Sequence, residues 1–276
     1  MTDLELKIQS IRYRQKLLEC IKRAGAGHTG GDLSCIDILN VLYSRILKVS
    51  PETFDEPGRD RYIQSKGHSV EALYVVLGDM GFFPECDLET LCQYGTHYVG
   101  HPTRKVQGVE QNTGALGHGL AFGVGVALAG KMDGATYRTF TLLGDGELAE
   151  GSNWESMMTA AHYRLDNLTA IIDRNTLQIT GPTHEVCDLE PLEDKFRAFG
   201  WSVRAVDGHD ITNLSETLGT TPFETGRPNA VIARTVKGKG ISFMENDVTW
   251  HHRVPNDEQY ERAQQELKAQ LAEVTS

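Results

Sequence analysis

The segment Thr141-Leu-Leu-Gly144-Asp145-Gly146-Glu147-Leu-Ala-Glu150-Gly151 leaves an apolar run and enters a helical pattern. No other stretch restricts the fold so much. Glycines at such a turn let the backbone approach a phosphate, and the helix N-terminus that follows favours negative charge. Around it the pattern alternates. Strands are expected at Tyr137–Leu143, Leu168–Asp173, Ser202–Val206 and Ala230–Val236, with helices at Glu150–Tyr163 and Ile211–Thr217. Upstream, Leu6, Ile8, Ile11, Leu17, Leu18 and Ile21 give a helical stripe over Leu4–Ala24, and Gly25–Gly31 breaks it. Ser34 is placed to cap a second helix running to Leu47, and a polar helix closes the chain from Glu258 to Val274. This alternation implies an α/β fold, a mostly parallel β-sheet with helices on both faces. No repeat, low-complexity tract or linker interrupts it, so residues 1–276 read as one domain.

Two chemistries compete for the turn. Gly144, Gly146 and Ala149 match a loose dinucleotide pattern, with Asp166 about where a ribose-binding acid would stand. Yet Asp145, Glu147 and Glu150 would surround a bare pyrophosphate with repulsive charge. A divalent cation between carboxylate and phosphate removes that conflict. Asn175 supplies a second oxygen: it follows the strand Leu168–Asp173, thirty residues after Asp145. Adjacent parallel strands would bring both to the carboxyl edge of the sheet, where open α/β folds bind ligands. Mg²⁺ takes about six oxygens and prefers few protein ligands plus substrate phosphates.

Gly144-Asp145-Gly146 followed by Asp173-Arg174-Asn175 resembles the metal–diphosphate motif of thiamine diphosphate enzymes in its transketolase-like form. The histidines extend the resemblance to the transketolase family, and to the N-terminal, diphosphate-binding subunit of a split transketolase. Gly25-Ala-Gly-His28-Thr-Gly30, Asp60-Arg-Tyr-Ile-Gln-Ser-Lys-Gly-His68, Gly100-His101-Pro102, Asn112-Thr-Gly114-Ala-Leu116-Gly117-His118-Gly119 and Trp250-His251 all look like family signatures. Three positions depart from the pattern: Thr29 stands where Pro is frequent, His118 where Gln is frequent, and His251-His252 where one His is usual. The catalytic member of that pair stays open, as does the role of His118.

The resemblance implies a thiamine diphosphate-binding fold of the diphosphate (PP) type. It further implies thiamine diphosphate with Mg²⁺, for which Ca²⁺ or Mn²⁺ could substitute. Asp145 and Asn175 would bind the ion by side chain and Leu177 by its main-chain oxygen. His68, Gly114, Leu116, Gly144, Gly146 and Asn175 would contact the cofactor. His28 and His251 would polarise the donor carbonyl and move protons, and His101 would bind the ketol hydroxyls. The reaction implied is transfer of a two-carbon ketol unit from a ketose phosphate to an aldose, the cofactor serving as electron sink. Glu150 and Glu155 would join two cofactor sites across a dimer interface. Lys237-Gly-Lys-Gly240 lacks P-loop spacing; the resemblance implies that it is a hinge leading to His251, with Lys237 and Gly238 near the cofactor. His209 begins a helix that Asp210 caps, and His97, His162 and His184 read as structural.

The family's activating glutamate and sugar-phosphate contacts lie in a domain that this sequence does not show. A partner chain, a C-terminal transketolase subunit in an α₂β₂ heterotetramer, is therefore expected. The α subunit of a 2-oxo acid dehydrogenase is the nearest rival, though it lacks the His28, His68 and His101 loops. A non-catalytic regulatory subunit is the other. The net charge of −11 argues against nucleic-acid binding, and neither a secretory signal nor an 18-residue apolar run is present. Five cysteines without CxxC spacing read as reduced thiols in a cytoplasmic protein.

Overall fold

The computed structural model describes residues 1–276. In chain order the first elements are α1 (Asp3–Ala24), α2 (Thr29–Val41), β1 (Arg61–Gln64), α3 (Val70–Asp79), α4 (Gly119–Met132), β2 (Thr139–Gly144) and α5 (Gly151–His162). They are followed by β3 (Leu168–Arg174), the short hairpin β4 (Leu177–Gln178) and β5 (Gly181–Pro182), α6 (Thr183–Val186), α7 (Leu192–Ala198), β6 (Ser202–Asp207), α8 (Ile211–Gly219), β7 (Asn229–Arg234) and α9 (Asp257–Thr275). Five strands form one parallel sheet in the order β1-β2-β3-β7-β6.

Strand alternation sends neighbouring side chains to opposite faces, and each face has its own core. Phe140, Leu142, Ile171, Val231 and Ala233 join the larger core with α1, α2, α3, α8 and α9. Leu143, Ala170, Ile172, Ala230 and Ile232 join the smaller one with α4, α5 and α7. Helices on both faces were the expectation, and burial of each large apolar side chain contributes about 1.5–3 kcal/mol to holding them.

Most boundaries fall within two residues of those read from the sequence; α2 does not. It begins at Thr29, five residues before Ser34, and runs through Gly30 and Gly31. Helix propensity opposes glycine there, but packing requires it: a Cβ on Gly30 would lie 2.9 Å from the Trp250 carbonyl. Ser34 is not a cap; its hydroxyl donates to Asp173 Oδ2 at 2.6 Å. Helix α1 carries the signals that sequence reading relies on, a Thr2/Glu5 capping box and Gly25 in the left-handed region at its end.

Helix α4 is apolar on both sides. Leu120, Val124 and Ala127 are buried, while Ala121, Phe122, Gly125, Ala129 and Met132 are exposed. On its inner side Gly123 lies so near β2 that an added Cβ would stand 2.5 Å from Thr141 Oγ1. Alanine normally stabilises a helix interior by about 0.5–1 kcal/mol over glycine. Here the collision outweighs that gain, so Gly123→Ala is expected to destabilise the chain by about 1–3 kcal/mol in denaturant unfolding. A rise in stability would show that α4 can move away from the sheet.

Candidate active site

Because β1, β2, β3 and β7 run parallel, the segments leaving them meet at one edge of the sheet. A cavity of about 400 Å³ opens there. The turn after β2 supplies Gly144, Asp145 and Gly146, and the segment after β3 supplies Asn175, Leu177, Gln178 and Ile179. Lys66 and His68 follow β1, Lys237 and His251 follow β7, and the start of α2 brings His28 and Gly31. The irregular segment before α4 adds His101, Gly114 and Leu116. Of the residues expected to bind metal, cofactor or substrate, all but Gly238, Glu150 and Glu155 border this space; the two glutamates are exposed outside it, with Glu150 packed on Gly117.

Asp145 is 2% exposed and held from several directions. Its Oδ1 accepts from Gly146 N at 2.8 Å, and its Oδ2 accepts from Arg174 Nη1 at 2.9 Å and Thr176 N at 2.5 Å. Thr176 reaches it from φ 69°, a left-handed conformation costly for a β-branched residue and of a kind that clusters at functional sites. Burial, then the Asp173 charge, raises the Asp145 pKa, against the pull of Arg174. Glu147 does not add the repulsion that the sequence suggested. Its oxygens accept from Gly117 N and Gly144 N, both at 3.0 Å, and from the Ser65 hydroxyl, so its carboxylate ties three loops together. Asp166, the ribose-binding candidate, stands before β3, at the far end of that strand from the cavity, and binds Lys131 at 2.8 Å and Gly226 N at 2.7 Å. The dinucleotide reading fails on that placement.

Four histidines line the same cavity. The His28 ring centroid lies 5.2 Å from that of His68, 6.1 Å from His101 and 5.8 Å from His251, and His68 stacks on His251 at 5.3 Å. His252 is exposed and does not line the cavity, yet its ring packs 4.5 Å from His28. Lys237 Nζ lies 2.8 Å from His251 Nδ1 and 3.2 Å from the Leu177 carbonyl. An ammonium only donates, so His251 Nδ1 accepts and the ring is neutral with its proton on Nε2. Burial, then Lys237, lowers His251 to about 3, and burial, then His252 and His101, lowers His28 to about 4. His68 is lowered by burial and then by Lys66, and His101 by burial. His28 Nδ1 is buried without a partner, a polar atom that a ligand would satisfy. Gly114, at φ 136°, has no room for a side chain: its Cβ would meet His101 Cδ2 at 2.6 Å.

Lys66 lies inside a histidine motif that implied no role for it, and it proves to be a cation at the cavity wall, bonded to Gly31 O at 2.9 Å and to Asp173. Charge beside a histidine motif was the available signal. Gln178 and Ile179 had none beyond proximity to Asn175. His118 lies outside the cavity, its Nδ1 3.3 Å from Ala115 O and 3.2 Å from Leu116 O. Asp210 caps α8 as expected, its side chain accepting from Asn213 N.

The donor set fits a divalent ion shared with a diphosphate. No group of three or more His, Cys, Asp or Glu side chains could hold a metal alone. Mg²⁺ needs only one or two carboxylates when phosphates complete its shell. Asp145, Asn175 and the Leu177 carbonyl offer oxygens at one end, and that carbonyl already accepts from the Lys237 ammonium. Lys66 and Lys237 bring ammonium groups to the cavity lining.

The depressed histidines carry a stability signature. An unfolded histidine titrates near 6.5, so below that pH the unfolded chain binds protons that folded His28 and His251 refuse. The contribution of these two histidines to stability is therefore expected to be flat above about pH 6.5 and to fall as pH drops from about 6.5 to 4, against the buried acid Asp32, whose pKa is raised to about 7. His28→Asn should shrink that fall in melting temperature between pH 7.5 and 5; an equal fall in the variant would remove His28 as a cause.

A family model for the transketolase thiamine diphosphate binding domain matches residues 6–272. An apulose-4-phosphate transketolase subunit from Phocaeicola vulgatus is 48% identical over 96% of this chain and 95% of its own length. The 6-deoxy-6-sulfo-D-fructose transketolase subunit SqwG of a Clostridium species is 40% identical over 98% of both. Human transketolase is 36% identical over 96% of this chain, which spans 42% of that protein. Among solved structures, Campylobacter jejuni transketolase superposes with a TM-score of 0.87 at 28% identity, covering 97% of this chain and 43% of its own. With the transketolase model spanning nearly the whole chain, the 2-oxo acid dehydrogenase reading falls away, and the chain belongs to the transketolase family as its N-terminal, thiamine diphosphate-binding domain.

Proposed function

We propose that this chain is the cofactor-tail-binding subunit of a two-subunit transketolase that moves a two-carbon ketol unit from a ketose phosphate to an aldose. The observation that carries it is that Asp145, Asn175 and Leu177 line one cavity with His28, His68, His101 and His251, with Asp145 bonded to Thr176 N between the other two donors. Asp145, Asn175 and Leu177 O would hold Mg²⁺. His68, Lys66, Lys237, Gly144 and the Gly146 backbone would hold the diphosphate, and Gly114 and Leu116 would flank the cofactor. Bound thiamine diphosphate supplies an electron sink for C–C cleavage.

The chain's own residues then set binding and protonation. His251, its Nδ1 occupied by Lys237, presents an Nε2–H donor to a substrate oxygen. His28, neutral and with a free buried Nδ1, can accept a proton or receive a hydroxyl donor. His101 is the exposed one of the four and stands where ketol hydroxyls would enter. Neutral imidazoles suit general acid–base work because each can either give or take a proton.

Two relatives that match this chain along nearly their whole length are themselves named as transketolase subunits. That supports a separate partner bringing the activating glutamate and the sugar-phosphate contacts. The exposed apolar stripe of α4, a helix packed on the α5 that carries Glu155, supports an interface and an α₂β₂ assembly. No helix is long and apolar enough to cross a membrane. All five cysteines are free and three are exposed, which favours the cytoplasm.

In the assembled enzyme, Asp145→Ala is expected to weaken thiamine diphosphate binding in Mg²⁺ by roughly 100-fold, since even indirect metal support is worth 10–100-fold. EDTA should abolish binding to the unaltered enzyme. Unchanged activity in the assembled variant would instead indicate a scaffold subunit. Purified alone, the chain should show no ketol transfer and should gain it on mixing with its partner; full activity of the single chain would end the two-subunit reading.

A further inference from the structure

Outside the cavity, one buried cluster has no part in the chemistry above. Asp37 of α2 and Arg14 of α1 are each 5% exposed and form a bidentate pair, Nη1 to Oδ1 at 3.1 Å and Nη2 to Oδ2 at 2.6 Å. His209, between β6 and α8, places Nδ1 2.7 Å from the same Oδ2. Its Nε2 lies 2.9 Å from Val236 N, and a backbone N–H only donates. Nε2 therefore carries no proton, and Nδ1–H donates to Asp37. A carboxylate alone would favour a doubly protonated ring. The Arg14 guanidinium on that carboxylate offsets this, and the Val236 bond requires the neutral tautomer.

The cluster grips a short segment from both sides. His209 takes Val236 N, and Arg14 Nε donates to Lys239 O at 3.1 Å. Between them Gly238 N donates to Gly30 O at 3.0 Å, and a Cβ on Gly238 would lie 2.2 Å from Met244 O. The backbone on both sides of Lys237 is thus fixed, and the ammonium projects from it to Leu177 O and His251 Nδ1.

We propose that Arg14, Asp37 and His209 are positioning residues that hold the 236–239 backbone so that Lys237 sits on the metal-side carbonyl and sets the proton position on His251. The inference rests on the reading of Lys237 as a contact to the cofactor's diphosphate. Without the Val236 bond the segment loses one of its anchors, and the ammonium gains freedom that binding must then remove.

Two substitutions separate this role from plain support of the fold. His209→Gln can put its amide oxygen where Nε2 was, keeping an acceptor for Val236 N while giving up Asp37. His209→Asn can put its amide nitrogen where Nδ1 was, keeping a donor to Asp37 while leaving Val236 N unpaired. In the assembled enzyme with saturating Mg²⁺, both are expected to lower the melting temperature. His209→Asn should weaken thiamine diphosphate binding roughly tenfold, and His209→Gln should stay within about threefold of the unaltered enzyme. Equal losses in the two, or no loss in His209→Asn, would overturn the proposal. If Lys237→Ala leaves cofactor affinity unchanged, the underlying reading of Lys237 fails instead. Independently of folding in any variant, ¹⁵N spectra of the unaltered chain should show His209 with protonated Nδ1 and bare Nε2 at neutral pH, and a doubly protonated ring would also overturn it.

Discussion

Everything at the carboxyl edge of the sheet stands on the ion pair between Lys66 and Asp173, whose side chains are 1% and 0% exposed. Asp173, in β3, also accepts from Ser34 of α2 and from Thr235 beyond β7, while Lys66, just after β1, donates to Gly31 O. One carboxylate thus joins elements far apart in sequence beneath the cavity floor. Removing one partner from such a pair costs about 3–5 kcal/mol, because the other is left charged and buried. Coulomb attraction offsets the burial penalty on both sides, holding the Asp173 pKa down and the Lys66 pKa up. Three consecutive residues then divide the labour: Asp173 locks the floor, Arg174 braces Asp145, and Asn175 borders the cavity.

The electrostatics of the site follow from this arrangement. A chain of net charge −11 repels phosphates at a distance, but salt screens that field beyond about 8 Å. Within the cavity the positive charge comes from lysines. Burial and Lys66 lower Lys237 to about 8, close to the point where it could lose its charge. The histidines stay neutral because they share a half-buried space with one another and with two ammonium groups. Charge for holding and imidazole for proton movement are thereby assigned to different side chains.

Much of this was legible in the sequence where chemistry is local. The Gly144-Asp145-Gly146 turn, the thirty-residue step to Asn175 and the α1 caps are short-range features, and the structure puts them where the spacing implied. Features set by tertiary packing were not legible. Helix α2 carries Gly30 in its first turn because Trp250 O, more than 200 residues away, needs the space. Strand β1 and helices α3 and α4 lie in a stretch read only as motifs. Their apolar residues form nearly continuous runs, buried on most sides in β1 and α3, so no clean period marks them. Glu147 looked like a repulsive acid because its three donors come from other loops.

The α4 stripe of Ala121, Phe122, Gly125, Ala129 and Met132 has a consequence for how such a protein is made. A contiguous apolar surface left in water invites self-association. On the reading proposed, a copy synthesised in excess of whatever covers that stripe keeps Phe122 and Met132 in water, so balanced dosage of the two chains becomes a matter of colloidal survival as well as of catalysis.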